Sequence, residues 1–129
     1  MPAAAEVGDD EALASFVLES NKFKSDGAVD HRQLMPSNRH KNTSVFRIDG
    51  LQHADTVALG NAEVAVKRGK PGVLGWVLLR AGTVREVRPL TVIPKEPPPK
   101  HALVENWPPP EQWRTLALLL ASKAQSVRV

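Results

Sequence analysis

Arg39, His40, Lys41 and Asn42 are four consecutive hydrogen-bond donors, and they stand directly ahead of a short apolar run, Thr43 to Ile48. Such a cluster suits an anion. The rigid guanidinium fork matches two oxygens of a phosphate or carboxylate at once. Arg47 brings a second guanidinium from inside the run, and Lys67, Arg68 and Lys70 form a further basic group. His31, His40 and His101 are the candidates for proton transfer, because imidazole ionises near neutral pH. The chain has no Cys, so no thiolate nucleophile is available, and no carboxylate pair has a spacing that points to acid–base work. Asp26, Asp30 and His31 carry metal-ligand atoms, but no further ligand falls at a recognised spacing, so no metal and no cofactor is expected. His101 shares a proline-flanked stretch with Asn106 and Trp107. A stiff loop holding an imidazole, an amide and an indole can wall a pocket, or serve as a strap with Trp107 packed beneath it.

These residues need a scaffold, and 129 residues supply one domain, 1–129, with a real core. The apolar share is 42% and the aromatic share only 5%, which predicts an aliphatic core and argues against extensive base stacking. Absence of Cys excludes a disulfide framework and fits a reducing compartment. No basic-then-apolar leader pattern opens the chain and no apolar run is long enough for a bilayer, so a cytoplasmic protein without membrane contact is expected. Net charge is +3, unevenly placed. Residues 1–30 hold two basic and seven acidic side chains, and residues 31–129 hold fifteen and seven, for net charges of −5 and +8. Either the acidic head folds against the basic body and screens it, or the body meets a polyanion.

Taken in order, residues 1–8 read as a flexible terminus. Asp9 or Asp10 caps a predicted helix to about Ser20, with Leu13, Phe16 and Val17 as its stripe. Thr43 to Ile48 alternates as a strand with one buried face, and Asp49-Gly50 turns the chain. Asp55 caps a short helix, Thr56 to Leu59, stopped by Gly60. Asn61 to Val66 fits either a helical turn or a strand. Lys67 to Gly72 is a basic turn; its Gly69 and Gly72 match the G-x-x-G spacing of KH domains, but a strand follows where those domains have a helix. Val73 to Leu79 reads as the central strand. Thr83 to Glu86 forms a capping box for a helix over about Val84 to Arg88, ended by Pro89, and Leu90 to Ile93 is another strand. Six of the chain's 11 prolines fall within Lys95 to Pro110, read as a polyproline strap. The last helix starts at Pro110, with Trp113, Leu116, Ala117, Leu120, Ala121 and Ala124 as its apolar stripe. Leu118 and Leu119 widen that arc toward a protein partner or a homodimer contact. Val127 to Val129 either adds a short edge strand or frays. The fold expected is α+β: a mixed sheet of about three to five strands, a long C-terminal helix on one face, and shorter helices.

The segments MPSNRHKNTSVFRIDGL and EPPPKHALVENWP resemble a group of short bacterial proteins that share an SVFR-type strand, a following Gly-Leu, and a proline-rich loop with a His ahead of Trp-Pro. The resemblance covers roughly residues 30–124. It implies that these two segments belong to one site, and it implies no particular activity.

Three functions follow, in order. The first is a module that binds a phosphate-bearing partner, nucleic acid or nucleotide, through the loop and strand at 31–47 and the proline-rich loop at 95–110. The second is a small enzyme acting on a phosphoester or nucleotide, with His as acid or base and Arg holding the charged group. The third is a protein-interaction subunit of a larger complex, antitoxin-like or an assembly partner.

Overall fold

The computed structural model describes residues 5–24 and 26–129. Six strands form one sheet: β1 (Ala12–Val17), β2 (Thr43–Arg47), β3 (Gly75–Arg80), β4 (Thr91–Pro94), β5 (His101–Glu105) and β6 (Gln125–Arg128). Their order is β4-β5-β2-β1-β3-β6, and every neighbouring pair is antiparallel. The sheet is therefore larger than the three to five strands expected, and it is not mixed. The α+β class holds. Among the described residues three α-helices complete it: α1 (His53–Gly60), α2 (Ala81–Glu86) and α3 (Trp113–Lys123).

Both faces of the sheet are covered, by two separate cores. Leu13, Val17, Val45, Val77, Val104 and Leu120 belong to the core shared with α2 and α3. Ala14, Phe16, Phe46, Ile48 and Trp76 belong to the core beneath α1. This explains the largest departure from the sequence reading. Residues 12–17 form β1, not a helix, and all but Ala12 are buried. A strand buried on both sides is apolar nearly throughout, Ser15 being the one polar residue of β1, so Leu13, Phe16 and Val17 fit a helical stripe and a buried strand equally well. In the same way β2 buries side chains on both faces rather than one: Val45 enters the first core, Phe46 and the following Ile48 the second, while Ser44 on the second face stays exposed.

The second new strand is β5. Its Ala102 and Val104 are buried while the residues between them are half-exposed, so the period of two is present between the proline triplets. The stretch expected as a strap is thus half sheet. The last helix carries its predicted stripe inward, with Trp113, Ala117 and Leu120 buried, but α3 is a modest 11 residues behind a 3-10 turn at Pro110–Gln112. Helix α2 starts at Ala81, earlier than the Thr83 capping box implies. Its first N–H groups are taken by backbone instead: Ala81 donates to the Glu11 carbonyl at 3.0 Å and Gly82 to that of Asp9 at 2.8 Å.

Helix α1 runs through Gly60 into a π turn at Asn61–Ala65 and a 3-10 turn at Val66–Arg68, and stops at Gly69, which has φ +66°. Asp55 lies in its first turn and Gln52, not Asp55, is the capping position. Gly60 is no stop signal. It lets the helix lie on β1: a Cβ there would sit 2.6 Å from Phe16 Cδ1 and 3.0 Å from Val73 Cγ1. Near the start of the chain, Val7 is buried and the Ala5 and Glu6 carbonyls accept hydrogen bonds from Arg47. Of the predicted loose terminus, residues 1–4 lie outside the described residues. Among the described residues, no helix is long and apolar enough to cross a membrane.

The close contact at Gly60 yields a test. Gly60→Ala, normally favourable in a helix, should lower stability by about 1–3 kcal/mol because Phe16 must shift. Urea unfolding with an unchanged slope would register it, and a stabilised variant would contradict the packing described.

Candidate functional site

Strands β1 and β2 pair only at Leu13↔Arg47 and Ala14↔Phe46. Beyond that point they part, although both continue. A 3-10 turn, His31–Leu34, occupies the opening. Asp30 caps this turn, accepting from the Arg32 N–H at 2.9 Å. Leu34 fills the first core, and its carbonyl accepts from Thr43 Oγ1 at 2.9 Å. The Gln33 amide donates to Phe16 O at 2.9 Å and to Ser15 Oγ at 2.8 Å. These bonds matter because a strand carbonyl that loses its ladder partner must find another donor.

The parting leaves a groove of about 400 Å³. Phe16 and Phe46 line it, together with one carboxylate, Glu19, and with Lys22, Arg32, Gln33, His40, Asn42, Ser44 and Arg68. The 37–42 loop and the basic turn after α1 thus meet at one place, through His40 and Asn42 of the loop and Arg68 of the turn. Arg39 and Lys41 belong to the same loop but are exposed and do not line the groove; Lys41 adopts φ +59°. Lys67 is held by Glu63 at 2.9 Å, and Lys70 is exposed away from the lining.

The cations at the groove differ in availability. Arg32 is bound to Asp30 through Nε at 3.0 Å and Nη2 at 2.8 Å. Lys22 and Arg68 make no ion pair among the described residues. Arg47 lies outside the groove. Its Nε and Nη2 each donate to Glu11 at 2.8 Å, and its remaining donors go to Ala5 O and Glu6 O. Its charge is consumed within the fold. Arg85 is likewise held by Asp9 at 2.6 Å. The acidic head therefore folds against the basic body, the first of the two arrangements the charge distribution allowed.

His101 opens β5 directly across from Phe46, with ring centroids 5.2 Å apart. Its Nε2 is hydrogen-bonded to Ser44 Oγ and its Nδ1 to the Lys95 carbonyl at 2.9 Å. His40 and His101 are thus on the same side of the molecule, with Ser44 standing between the groove and His101. His31 lies apart, 3.8 Å from Asp30 and outside the groove lining. Asn106 donates to Pro89 O at 2.9 Å, and Trp107 packs against the opposite core, so neither walls this groove. No residue of the 95–110 segment lines the groove, contrary to the expectation that this loop forms part of the site; the segment touches it only indirectly, through the hydrogen bond of His101 to Ser44.

Lys22, Gln33 and Ser44 escaped the sequence reading. Ser44 had a signal: it shares the parity of Phe46 and Ile48 and so the face they occupy. Gln33 and Lys22 had none, since they arrive from turns that precede β2. Among the described residues, no group of three or more His, Asp or Glu side chains could hold a metal ion. Compared with protein-family models, with curated proteins and with solved structures, the chain gives no match.

Two carboxylates brace this region, and their titration can be measured. The Arg32 guanidinium holds Asp30 well below its ordinary 3.8, and the Arg47 guanidinium lowers Glu11 from 4.5. Both favour the ionised form when folded, so their stabilisation is present above those ordinary values and is lost as pH falls through the lowered ones. Denaturant midpoints should drop from pH 5 toward pH 2, and less steeply in Glu11→Gln or Asp30→Asn. Glu11→Gln should also cost about 1–3 kcal/mol at pH 7, since it strands a half-buried guanidinium. Equal acid slopes in variant and parent would refute these pairings.

Proposed function

We propose that the chain binds a phosphate-bearing partner of nucleotide size in the groove between β1 and β2. The observation that carries this reading is the pair Lys22 and Arg68, cations without an ion-pair partner among the described residues, facing a groove that also presents His40 and Asn42. A volume of about 400 Å³ suits a nucleotide or a single unit of a nucleic acid strand, not a duplex. Phe16 and Phe46 add apolar wall beside the polar groups. Since the acidic head already offsets much of the basic body, these local charges support the reading better than the net charge does.

Isothermal titration with ADP, and anisotropy with a labelled oligonucleotide, test the proposal. Affinity should fall as salt rises from 50 to 200 mM, by the usual loss of phosphate neutralisation. Arg68→Ala should weaken binding by about ten- to a hundredfold, in line with the roughly 1.5–3 kcal/mol of a hydrogen bond to a charged group. Lys70→Ala, outside the groove, should change little. Absence of binding to either probe, or equal effects of the two substitutions, would overturn the reading.

A subunit contact is the second reading. Leu118 and Leu119, each 43% exposed on α3, favour it. Light scattering on the purified chain should give a dimer that Leu118→Glu/Leu119→Glu converts to monomer. A monomer at all concentrations would remove it.

A further inference from the structure

We propose that Ser44 and His101 form a nucleophile–base pair that hydrolyses an ester bound in the groove, the phosphate-bearing body of that ester being the partner described above. The specificity half of this proposal rests on the binding reading; the chemistry rests on the pair itself.

Strands β2 and β5 are antiparallel neighbours with Ser44 opposite Leu103 and Phe46 opposite His101. Residues two apart on a strand share a face, so Ser44 and His101 meet diagonally across the ladder. Ser44 Oγ and His101 Nε2 are hydrogen-bonded there. The other ring nitrogen, Nδ1, lies 2.9 Å from the Lys95 carbonyl. A carbonyl can only accept, so Nδ1 carries the hydrogen. In neutral imidazole Nε2 then holds the lone pair, and the Ser44 hydroxyl donates to it. This is the tautomer a general base requires, and it is set by backbone. The Phe46 ring backs the imidazole on the same face. A nucleophile in contact with a base that a third group orients is the arrangement that activates serine. Ser44 is exposed and lines the groove, so an incoming carbonyl carbon can reach its Oγ.

The step balances with water as the only co-reactant. Ser44 Oγ attacks the ester carbonyl carbon as its proton passes to His101 Nε2. The tetrahedral adduct collapses, the bond to the alcohol oxygen breaks, and His101 returns the proton to the leaving alcohol. Water then attacks the acyl carbon, giving its proton to Nε2. Ser44 Oγ departs and takes that proton back. The Asn42 amide, which lines the same groove two residues before Ser44, is the donor for the oxyanion.

The test uses the full chain, a fluorophosphonate probe and p-nitrophenyl acetate. With the probe, the Ser44 Oγ–P bond forms as P–F breaks, fluoride leaves, and the proton goes through His101 to solvent. Mass spectrometry should place one adduct on Ser44. Ser44→Ala should abolish it and the esterase rate. His101→Gln should slow both by about 10³-fold, within the range for loss of a general base, with an unchanged circular dichroism spectrum. Should His101→Gln unfold, Ser44→Cys substitutes for it: in a chain with no other Cys, its thiol beside His101 should alkylate with iodoacetamide at least about tenfold faster than free cysteine at pH 7. No adduct on Ser44, equal labelling of other serines, labelling unaffected by His101→Gln, or an ordinary thiol rate would each overturn the pair. The two readings fail separately. ADP binding without Ser44 reactivity keeps the groove and removes the chemistry; Ser44 reactivity without ADP binding does the reverse.

Discussion

The 3-10 turn His31–Leu34, lodged between the diverging ends of β1 and β2, is the constraint on which the rest depends. Two antiparallel strands that pair at Ala14 and Phe46 would ordinarily go on pairing to their ends. Stopping early leaves strand carbonyls without partners, which is costly in a partly buried place. The Gln33 amide satisfies Phe16 O, Thr43 Oγ1 satisfies Leu34 O, and the Leu34 side chain fills the core between sheet and α3. With those three contacts the separation is stable, and the groove exists. Without them the strands would close and bring Ser44 alongside Phe16.

A second layer of organisation is electrostatic. Glu11 holds Arg47, Asp9 holds Arg85 and Asp30 holds Arg32, and these are the places where the acidic head meets the basic body. Each pair removes a guanidinium that the linear charge pattern would offer to a ligand. What survives at the groove is a small set, Lys22 and Arg68, with His40 and Asn42 beside them. A basic composition is therefore a poor guide to this surface: the informative quantity is which cations the fold leaves unpaired.

The two segments that the sequence singles out do come together, as β2 and β5, but by strand pairing rather than as two loops facing across a pocket. That pairing carries His101 to Ser44. It carries Asn106 and Trp107 to the opposite side, where the indole donates to Val104 O and packs on the first core. His101 and Trp107 are six positions apart and would share a face if the strand ran on, but β5 ends at Glu105 and Asn106 turns the chain with φ +65°, so the indole reaches the other face.

Local chemistry in the chain was enough to specify the inward stripe of α3, the alternation of Val45 and Phe46 and the turn at Asp49-Gly50, while the last residues fit an edge strand or a frayed end equally well. Each follows from spacing or turn propensity over a few residues. It was not enough to separate helix from strand at Leu13 to Val17, since a doubly buried strand has no polar face to reveal its period. Nor could it say that Gly60 ends no helix, because the contact with Phe16 is a tertiary one. Above all, the groove and the Ser44–His101 contact belong to the tertiary structure alone. They arise from register between strands far apart in the chain, and from ion pairs that decide which charges remain available, and register and pairing are properties of the assembled sheet rather than of any one segment.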